Sequence, residues 1–321
     1  MALLRAEAFL FTMADNSKLK TQNSKLLSLG LHRVDGRSYW FAGYFNPFDR
    51  ELMVRYAGEA RANRFSETFG GQLPFANARI VKVYDDDRTA AGQFAETFGV
   101  EVAKTFDEFA EGLDGVIVPF PSGGDRRDYE VTAPLARRGI PLFLDRIILE
   151  QSDVLRRLMA ESPAPLHVTC FMRYFAGLML PENGQAQCVV ATAHGEPNGY
   201  GADLLDLVDE LMGGVPASVL NAGDEKADIA RIRYADGRHA ILQLFREGNL
   251  PMTVTAFSED RQSILPIDGS QFHYGAFRQF QAFLRSIETR EPPVLYARVL
   301  RNAAVLQAIE RREYGQEIAV G

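Results

Sequence analysis

The stretch Ala78-Arg-Ile-Val-Lys-Val-Tyr-Asp-Asp-Asp87 decides the fold of this chain. An apolar strand that ends on acidic residues is what a dinucleotide-binding domain uses to hold a ribose. Such a domain also needs G-x-G-x-x-G after its first strand, where glycines let the backbone approach a pyrophosphate at a helix N-terminus. That string occurs nowhere in the sequence. The sequence therefore raises the question of whether a dinucleotide-binding scaffold has kept its ligand.

Length and composition predict a globular protein of two domains. The 321 residues exceed what one hydrophobic core usually serves, and 46% of them are hydrophobic. A net charge of -7 and a pI near 5.4 argue against nucleic acid or an anionic membrane as a partner. The cysteines, Cys170 and Cys188, are too few for a disulfide framework, and the N-terminus is too charged for a signal peptide. We expect a cytoplasmic protein.

The first part of the chain alternates strands and helices, which is typical of a parallel sheet covered on both faces. Helices are predicted between the strands, and Gly99 and Gly139 end two of them as left-handed caps. Before this part, Ala8–Thr12 is a candidate for an extra or true first strand, with a helix over Leu19–Leu29. The predicted strands are Ser38–Phe45, Ala78–Tyr84, Gly115–Phe120 and Ile140–Leu144.

The second part of the chain is rich in strands. Asp236-Gly237 lies between two apolar runs and predicts a β-hairpin. The predicted strands are Leu166–Arg173, Gln187–Ala193, Ala217–Asn221, Ile229–Tyr234 and Ala240–Phe245, and two helices, Tyr274–Ser286 and Ala297–Arg312, close the chain. The predicted fold class is α/β: a doubly wound Rossmann-like domain over residues 1–150, then a second α/β domain with a largely antiparallel open sheet over residues 151–321. The C-terminal helix is a candidate to pack back on the first domain.

Four segments follow one another in a characteristic order. They are Val83–Gly99, an acid-ended strand and a helix that ends in Phe-Gly; Leu113–Pro121, a strand with a proline loop; Arg138–Ile147; and Gly201–Gly213, which begins Gly201-Ala-Asp203-Leu-Leu-Asp206. In this order they resemble the Gfo/Idh/MocA family of NAD(P)-dependent sugar and polyol oxidoreductases. The resemblance covers roughly residues 78–321.

The resemblance implies a cofactor site. Asp85 would contact the ribose of NAD or NADP, and Pro121 would lie in the cofactor-contacting loop. The predicted strand-to-helix turn keeps one glycine, Gly43, followed by the bulky Tyr44 and Phe45, which would obstruct a pyrophosphate. NAD or NADP binding and no cofactor at all are therefore the two alternatives.

The resemblance also implies the catalytic positions, where this chain departs from the family. Arg146 stands in place of the family's catalytic lysine and Asp203 in place of its histidine, with Asp206 three residues later. Arginine stays protonated and is a poor acid/base catalyst. Two carboxylates on one helix face can still form an acid/base pair, because one can raise the pKa of the other. Alternatively, Asp206 and Arg146 serve only in structural ion pairs.

Two further residues complete the predicted site. Arg173 resembles an arginine near the family's substrate cleft, and His194 precedes a flexible glycine-rich loop. The histidines and acids show no metal-site spacing. We predict a protein acting on a sugar, polyol or related polar metabolite, and the departures argue against ordinary NAD(P)-dependent turnover. The alternatives are a non-redox lyase, isomerase or hydrolase using Asp203, Asp206 and Arg146, or an inactive binding or scaffold subunit. A homo-oligomer is expected, with no nucleic-acid or membrane partner.

Overall fold

The computed structural model describes residues 25–69, 73–119, 126–145, 152–180, 184–248 and 250–320. The chain divides into two compact units, Met1–Pro119 and Phe120–Gly321. The predicted boundary near residue 150 and the packing of the C-terminal helix on the first domain stay predictions. The candidate strand Ala8–Thr12 and two predicted site residues, Pro121 and Arg146, lie outside the described residues.

The first unit is built on parallel strands in the order β3-β2-β1-β4. Its strands are β1 (Leu27–His32), β2 (Ala78–Tyr84), β3 (Glu101–Val102) and β4 (Gly115–Val118). Its helices are α1 (Gly36–Ala42), α2 (Arg50–Ala57), α3 (Glu59–Phe69), α4 (Arg88–Phe98) and α5 (Phe106–Ala110). The strand Ala78–Tyr84 is confirmed at both ends, and Gly99 caps α4 with φ +65° as predicted.

The start of the first unit differs from the prediction. The strand predicted over Ser38–Phe45 is wrong, because Gly36–Ala42 forms a helix, and the helix predicted over Leu19–Leu29 is wrong at Leu27–Leu29, which lie in β1. Aromatic residues favour strands, but the side chains of Asp35 and Ser38 form a capping box that starts a helix here. The strand β1 (Leu27–His32) therefore takes the place of the strand predicted at Ser38–Phe45.

The second unit contains a pair of parallel strands, a seven-stranded sheet and most of the long helices. Strands β5 (Leu142–Leu144) and β6 (Leu166–Val168) pair in parallel, and a separate seven-stranded sheet has the order β12-β11-β7-β10-β9-β8-β13. The remaining strands are β7 (Cys188–His194), β8 (Pro216–Asn221), β9 (Ala227–Tyr234), β10 (His239–Phe245), β11 (Met252–Phe257), β12 (Gln262–Ile267) and β13 (Glu317–Ala319). The helices are α6 (Arg126–Arg137), α7 (Ser152–Glu161), α8 (Ala176–Met179), α9 (Ala202–Met212), α10 (Gly269–Thr289) and α11 (Tyr296–Glu310).

The seven-stranded sheet is mixed but mainly antiparallel. Strands β7 and β10 run in parallel, while the other neighbours pair antiparallel. The hairpin at Asp236-Gly237 is confirmed, with Gly237 at φ +88°. Alternate side chains of β7 and β10 are buried, and α9 lies against these two strands. The predicted fold class is confirmed: a parallel Rossmann-type sheet and a second α/β domain.

Candidate functional site

The turn after β1 is the place where a Rossmann domain receives the pyrophosphate. It consists of Arg33, Val34 and Asp35, and α1 follows it. The Arg33 backbone has φ +70°, in the left-handed region that favours glycine, and its N–H donates to the Tyr84 carbonyl at 2.9 Å. The chain therefore makes a glycine-type turn without glycine.

Asp35 caps the helix that follows this turn. Its Oδ1 accepts hydrogen bonds from the backbone N–H groups of Arg37 at 2.8 Å and Ser38 at 2.9 Å. In return, the Asp35 N–H donates to the Ser38 hydroxyl at 2.9 Å. Ser38 is fully buried. The N–H groups of Arg37 and Ser38, the second and third residues of α1, therefore already have an acceptor within the chain.

Asp85, the predicted ribose ligand, accepts hydrogen bonds from two backbone N–H groups, and its ribose role stays a prediction. Its Oδ2 accepts the Val34 N–H at 2.6 Å, and its Oδ1 accepts the Asp87 N–H at 2.9 Å. Asp87 in turn caps α4 by accepting from Thr89 at 2.9 Å and Ala90 at 3.0 Å. The acids after β2 thus hold the turn after β1 and start the next helix.

Gly43 lies at the C-terminal end of α1 and not after the first strand. A Cβ atom there would come within 2.6 Å of the Phe65 ring, so close packing requires the glycine. The turn predicted at Gly43 is therefore wrong. The correct turn could have been found from the apolar run Leu27–Leu31 followed by Asp35-x-x-Ser38, which is a helix-start signature.

The two predicted catalytic carboxylates lie on α9 and are buried. Asp203 is 1% exposed, and its carbonyl accepts from the Cys170 thiol at 3.3 Å. Asp206 is also 1% exposed and accepts the Cys170 N–H at 2.9 Å. The guanidinium of Arg173 donates to Asp206 Oδ1 at 2.7 Å. Asp206 therefore takes part in a buried ion pair, and the catalytic roles of both residues stay predictions.

Arg173 is the centre of a larger ionic cluster. It lies on a 3-10 helix, Phe171–Phe175, because β6 ends at Val168 and not at Arg173 as predicted. Besides Asp206 it binds Asp209 at 2.9 Å and Glu210. Arg298 of α11 binds the same two acids at 2.8 and 3.3 Å. The cluster thus joins three elements through two guanidinium and three carboxylate groups.

Burial and charge oppose each other in this cluster. Burial raises the pKa of Asp206, although the neighbouring Arg173 acts in the opposite direction. Burial would lower the pKa of Arg173, but the surrounding carboxylates raise it above its ordinary value. Arg173 therefore remains a fixed cation at any physiological pH.

A cavity of about 550 Å³ lies beside this cluster, within the second unit. Its polar lining includes Arg173, Gln185, Glu210, Tyr274, Arg278 and Arg298. Arg173 was predicted to bind substrate, whereas the others were missed because they come from separate elements and form no motif. The predicted site residues Asp203 and His194 are not among the described residues that line the cavity.

His194 lies at the end of β7. Its Nδ1 is 3.3 Å from the Leu250 carbonyl, and its ring meets Tyr200 edge-on at 5.3 Å. The side chain is partly exposed, so it is accessible to a ligand. Its role in substrate binding stays a prediction.

Comparison with known proteins bears on the resemblance seen in the sequence. Residues 55–168 match the Gfo/Idh/MocA family, described as an oxidoreductase family with an NAD-binding Rossmann fold. The resemblance to this family is confirmed. The matched residues begin after β1 and its turn, so the part of the chain with Arg33 and Asp35 lies outside the match. A search of curated proteins gives no match.

Solved structures share the fold over nearly the whole chain. An NADPH-dependent oxidoreductase from Desulfitobacterium hafniense, described there as putative, has 13% identity and a TM-score of 0.71, covering 92% of this chain and 98% of that one. GenD2 of gentamicin A biosynthesis, in complex with NAD, has 13% identity and a TM-score of 0.67, covering 93% and 97%. A myo-inositol dehydrogenase from Lactobacillus casei, in complex with NAD(H) and myo-inositol, has 13% identity and a TM-score of 0.67, covering 92% and 97%.

The turn after β1 does not fit the cofactor that the family implies. A diphosphate needs free N–H donors and close approach to the backbone. Here Asp35 and Asp85 accept the N–H groups of Arg37, Ser38 and Val34.

No helix in the part of the chain that the structure describes is long and apolar enough to cross a membrane. Within the same residues, no group of three or more histidine, cysteine, aspartate or glutamate side chains is arranged to hold a metal ion.

Replacement of Arg173 tests the ionic cluster. Arg173→Met leaves Asp206 and Asp209 buried without this cation, so we expect a loss of about 3–5 kcal/mol in the free energy of unfolding, measured by urea denaturation. The control is Arg157→Met, which removes an exposed pair with Glu161 at 2.6 Å and should cost no more than about 1 kcal/mol. Equal losses in the two variants would contradict a stabilising role for the cluster.

The pH dependence of stability tests the burial of His167. This residue is fully buried, stacks on Phe143 at 4.9 Å and has its pKa lowered from 6.5 to about 3, first by burial and then by Arg173. Below pH 6.5 the unfolded chain binds a proton that the folded chain does not, so stability falls as the pH is lowered.

His167→Phe keeps the ring but cannot titrate. Between pH 6.5 and 5 its free energy of unfolding should fall less steeply than that of the wild type, by up to about 1.4 kcal/mol per pH unit. Chemical denaturation at several pH values measures the two slopes. Identical slopes would show that His167 does titrate freely in the folded protein.

Proposed function

We propose that this protein binds a sugar, polyol or related polar metabolite in the cavity beside Arg173, and does not carry out ordinary NAD(P)-dependent turnover. The cavity is the observation that carries the proposal. Its volume of about 550 Å³ lies in the range of small-molecule sites, and its lining offers both donors and acceptors. The structural neighbour bound to NAD(H) and myo-inositol supports the class of ligand.

The cavity lining suits hydroxyl groups. Glu210 can accept hydrogen bonds, Arg278 can donate them, and the amide of Gln185 can do both. Burial raises the pKa of Tyr274 despite the nearby Arg278, so its phenol stays protonated and can donate. A polyhydroxylated ligand would therefore find partners on several walls of the cavity.

The carboxylates of α9 support the absence of ordinary turnover. Asp203, which stands where the family places the histidine that assists proton transfer, and Asp206 are both buried, and Asp206 is paired with Arg173. A general acid or base must reach the proton that it transfers. Arginine at position 146 is a poor substitute for a lysine that exchanges protons.

The same burial favours a second candidate function, an inactive binding or scaffold subunit. The non-redox lyase, isomerase or hydrolase predicted as an alternative would use Asp203 and Asp206 as acid and base, and it needs them at a surface that substrate reaches. At 1% exposure each, they serve that role poorly. Binding without conversion is therefore the alternative with structural support.

Variants of the cavity test the binding site. Tyr274→Phe and Arg278→Gln each remove one donor, so the affinity for the best ligand in a panel of sugars and polyols, starting with myo-inositol, should fall about 5- to 10-fold by calorimetry. Arg285→Gln, an exposed residue on the same helix outside the cavity lining, is the control and should bind as the wild type does.

The outcomes of this experiment separate the two halves of the proposal. Failure of the whole panel to bind, or equal affinity in the cavity variants and the control, would reject the cavity as the metabolite site. Reduction of NAD⁺ or NADP⁺ by any bound polyol, measured by nicotinamide absorbance, would show redox turnover and reject that half of the proposal.

We extend the proposal to a cytoplasmic homo-oligomer. The seven-stranded sheet exposes apolar side chains on its edge strand β12 and on the neighbouring β11, with Ile264 62% and Phe257 37% exposed. Covering such residues with a second copy of the chain would remove them from water. Sedimentation should therefore give a mass above that of the 35.8 kDa chain, and a strict monomer at micromolar concentration would contradict it.

A further inference from the structure

We infer that this chain closes its dinucleotide site with its own carboxylates, so that neither NAD nor NADP binds in the manner of a Rossmann domain. The inference concerns the first unit alone, and goes beyond the proposed function by naming the residues that exclude the cofactor. It stands or falls independently of metabolite binding in the second unit.

The positions of the missing glycines are identified by geometry. Arg33, Asp35 and Ser38 have the i, i+2, i+5 spacing of G-x-G-x-x-G and follow β1 directly. Arg33 takes the left-handed backbone of the tight turn with φ +70°, and Asp35 is the N-cap of α1. Ser38, fully buried, lies where a glycine would allow close packing of helix and strand. The backbone conformation of the motif is present, but residues with side chains replace its glycines.

Two hydrogen-bond donors at the start of α1, where a diphosphate would bind, are occupied. The Asp35 carboxylate accepts from Arg37 and Ser38, the N–H groups that point out of the first turn of α1. A phosphate oxygen at the same place would have to displace this carboxylate. The chain thus supplies its own anion where the cofactor's anion would lie.

Both carboxylate oxygens of Asp85, the predicted ribose ligand, also accept hydrogen bonds from the chain. Asp85 uses one oxygen for the Val34 N–H at 2.6 Å and the other for the Asp87 N–H at 2.9 Å. This links the turn after β1 to the turn after β2 directly, across the place where a ribose hydroxyl would bind Asp85. The two acids therefore replace the diphosphate and ribose contacts together.

Arginine side chains near the turn after β1 do not restore a dinucleotide site. Arg33 and Arg37 flank Asp35, and the Arg61 guanidinium lies 2.9 Å from where a Cβ atom of Gly36 would stand. These cations could attract a phosphate, but the backbone donors and the close approach at the helix start are what define the dinucleotide site. Because Asp35 occupies backbone donors and blocks close approach at the helix start, electrostatic attraction by these cations would not place a phosphate in the dinucleotide site.

The first experiment titrates NADH and NADPH into the wild-type protein and follows nicotinamide fluorescence. The Lactobacillus casei myo-inositol dehydrogenase, solved with NAD(H), serves as the positive control. We expect no saturable signal up to about 1 mM, the weak end of specific binding. Saturable binding of either nucleotide below that concentration would overturn the inference.

The second experiment assigns the closure to the named acids by amide hydrogen exchange in the ligand-free protein. Arg37, Ser38 and Val34 should be protected, whereas an open loop leaves such N–H groups exchanging freely. Asp35→Ala should speed exchange at Arg37 and Ser38 about ten-fold, and Asp85→Ala should do so at Val34.

A conservative variant and a matched control show whether the Asp35 carboxylate itself causes the protection. Asp35→Asn retains an acceptor oxygen and should restore most of the protection. Asp87→Ala is the matched control, because Asp87 caps α4 in the same way and should affect Thr89 and Ala90 alone. Free exchange of Val34, Arg37 and Ser38 in the wild type, or no change in Asp35→Ala, would overturn the inference.

Discussion

The buried guanidinium of Arg173 is the constraint on which the second unit depends. Asp206 and Asp209 lie on one helix with almost no exposure, and carboxylates buried together need a cation to remain ionised. Arg173 supplies it from the 3-10 helix, and Arg298 adds a second from α11. The energy of burying these charges is recovered only if all three elements keep their places.

That constraint also shapes the cavity. Arg173, Glu210 and Arg298 belong to the ionic cluster and to the cavity wall at once. A ligand would meet side chains whose positions are already fixed by ion pairs, so little rotamer entropy would be lost when it binds. The cluster therefore stabilises the fold and arranges donors and acceptors before any ligand arrives.

Much of the fold could be predicted because local signals agreed with the global pattern. The alternation in Ala78–Tyr84 and the Asp236-Gly237 turn each correspond to an observed element. The helix at Gly36–Ala42 was missed because its residues Tyr39, Trp40 and Phe41 have strand propensity, and the capping box outweighs that propensity. A cap is carried by two side chains and is easily overlooked beside an aromatic run.

The candidate site was less predictable, for a physical reason. The resemblance marked Arg173 and Asp206, but their pairing depends on a 3-10 helix that the apolar run before it does not indicate. Tyr274 and Arg278 share one face of α10 without any spacing that distinguishes a ligand-facing side from a solvated one. Cavities arise from several elements meeting, and sequence periodicity describes only one element at a time.

The Asp35 cap has a consequence for how the protein behaves in a cell. A nucleotide-binding domain whose helix start is completed by its ligand gains stability in proportion to ln(1 + [L]/Kd), so its population of folded molecules follows the supply of that ligand. An acceptor that is covalently part of the chain has no such concentration term. With the dinucleotide site closed as inferred above, the stability of the first unit contains no term in dinucleotide concentration, so its folded population would stay the same whether dinucleotides are abundant or depleted.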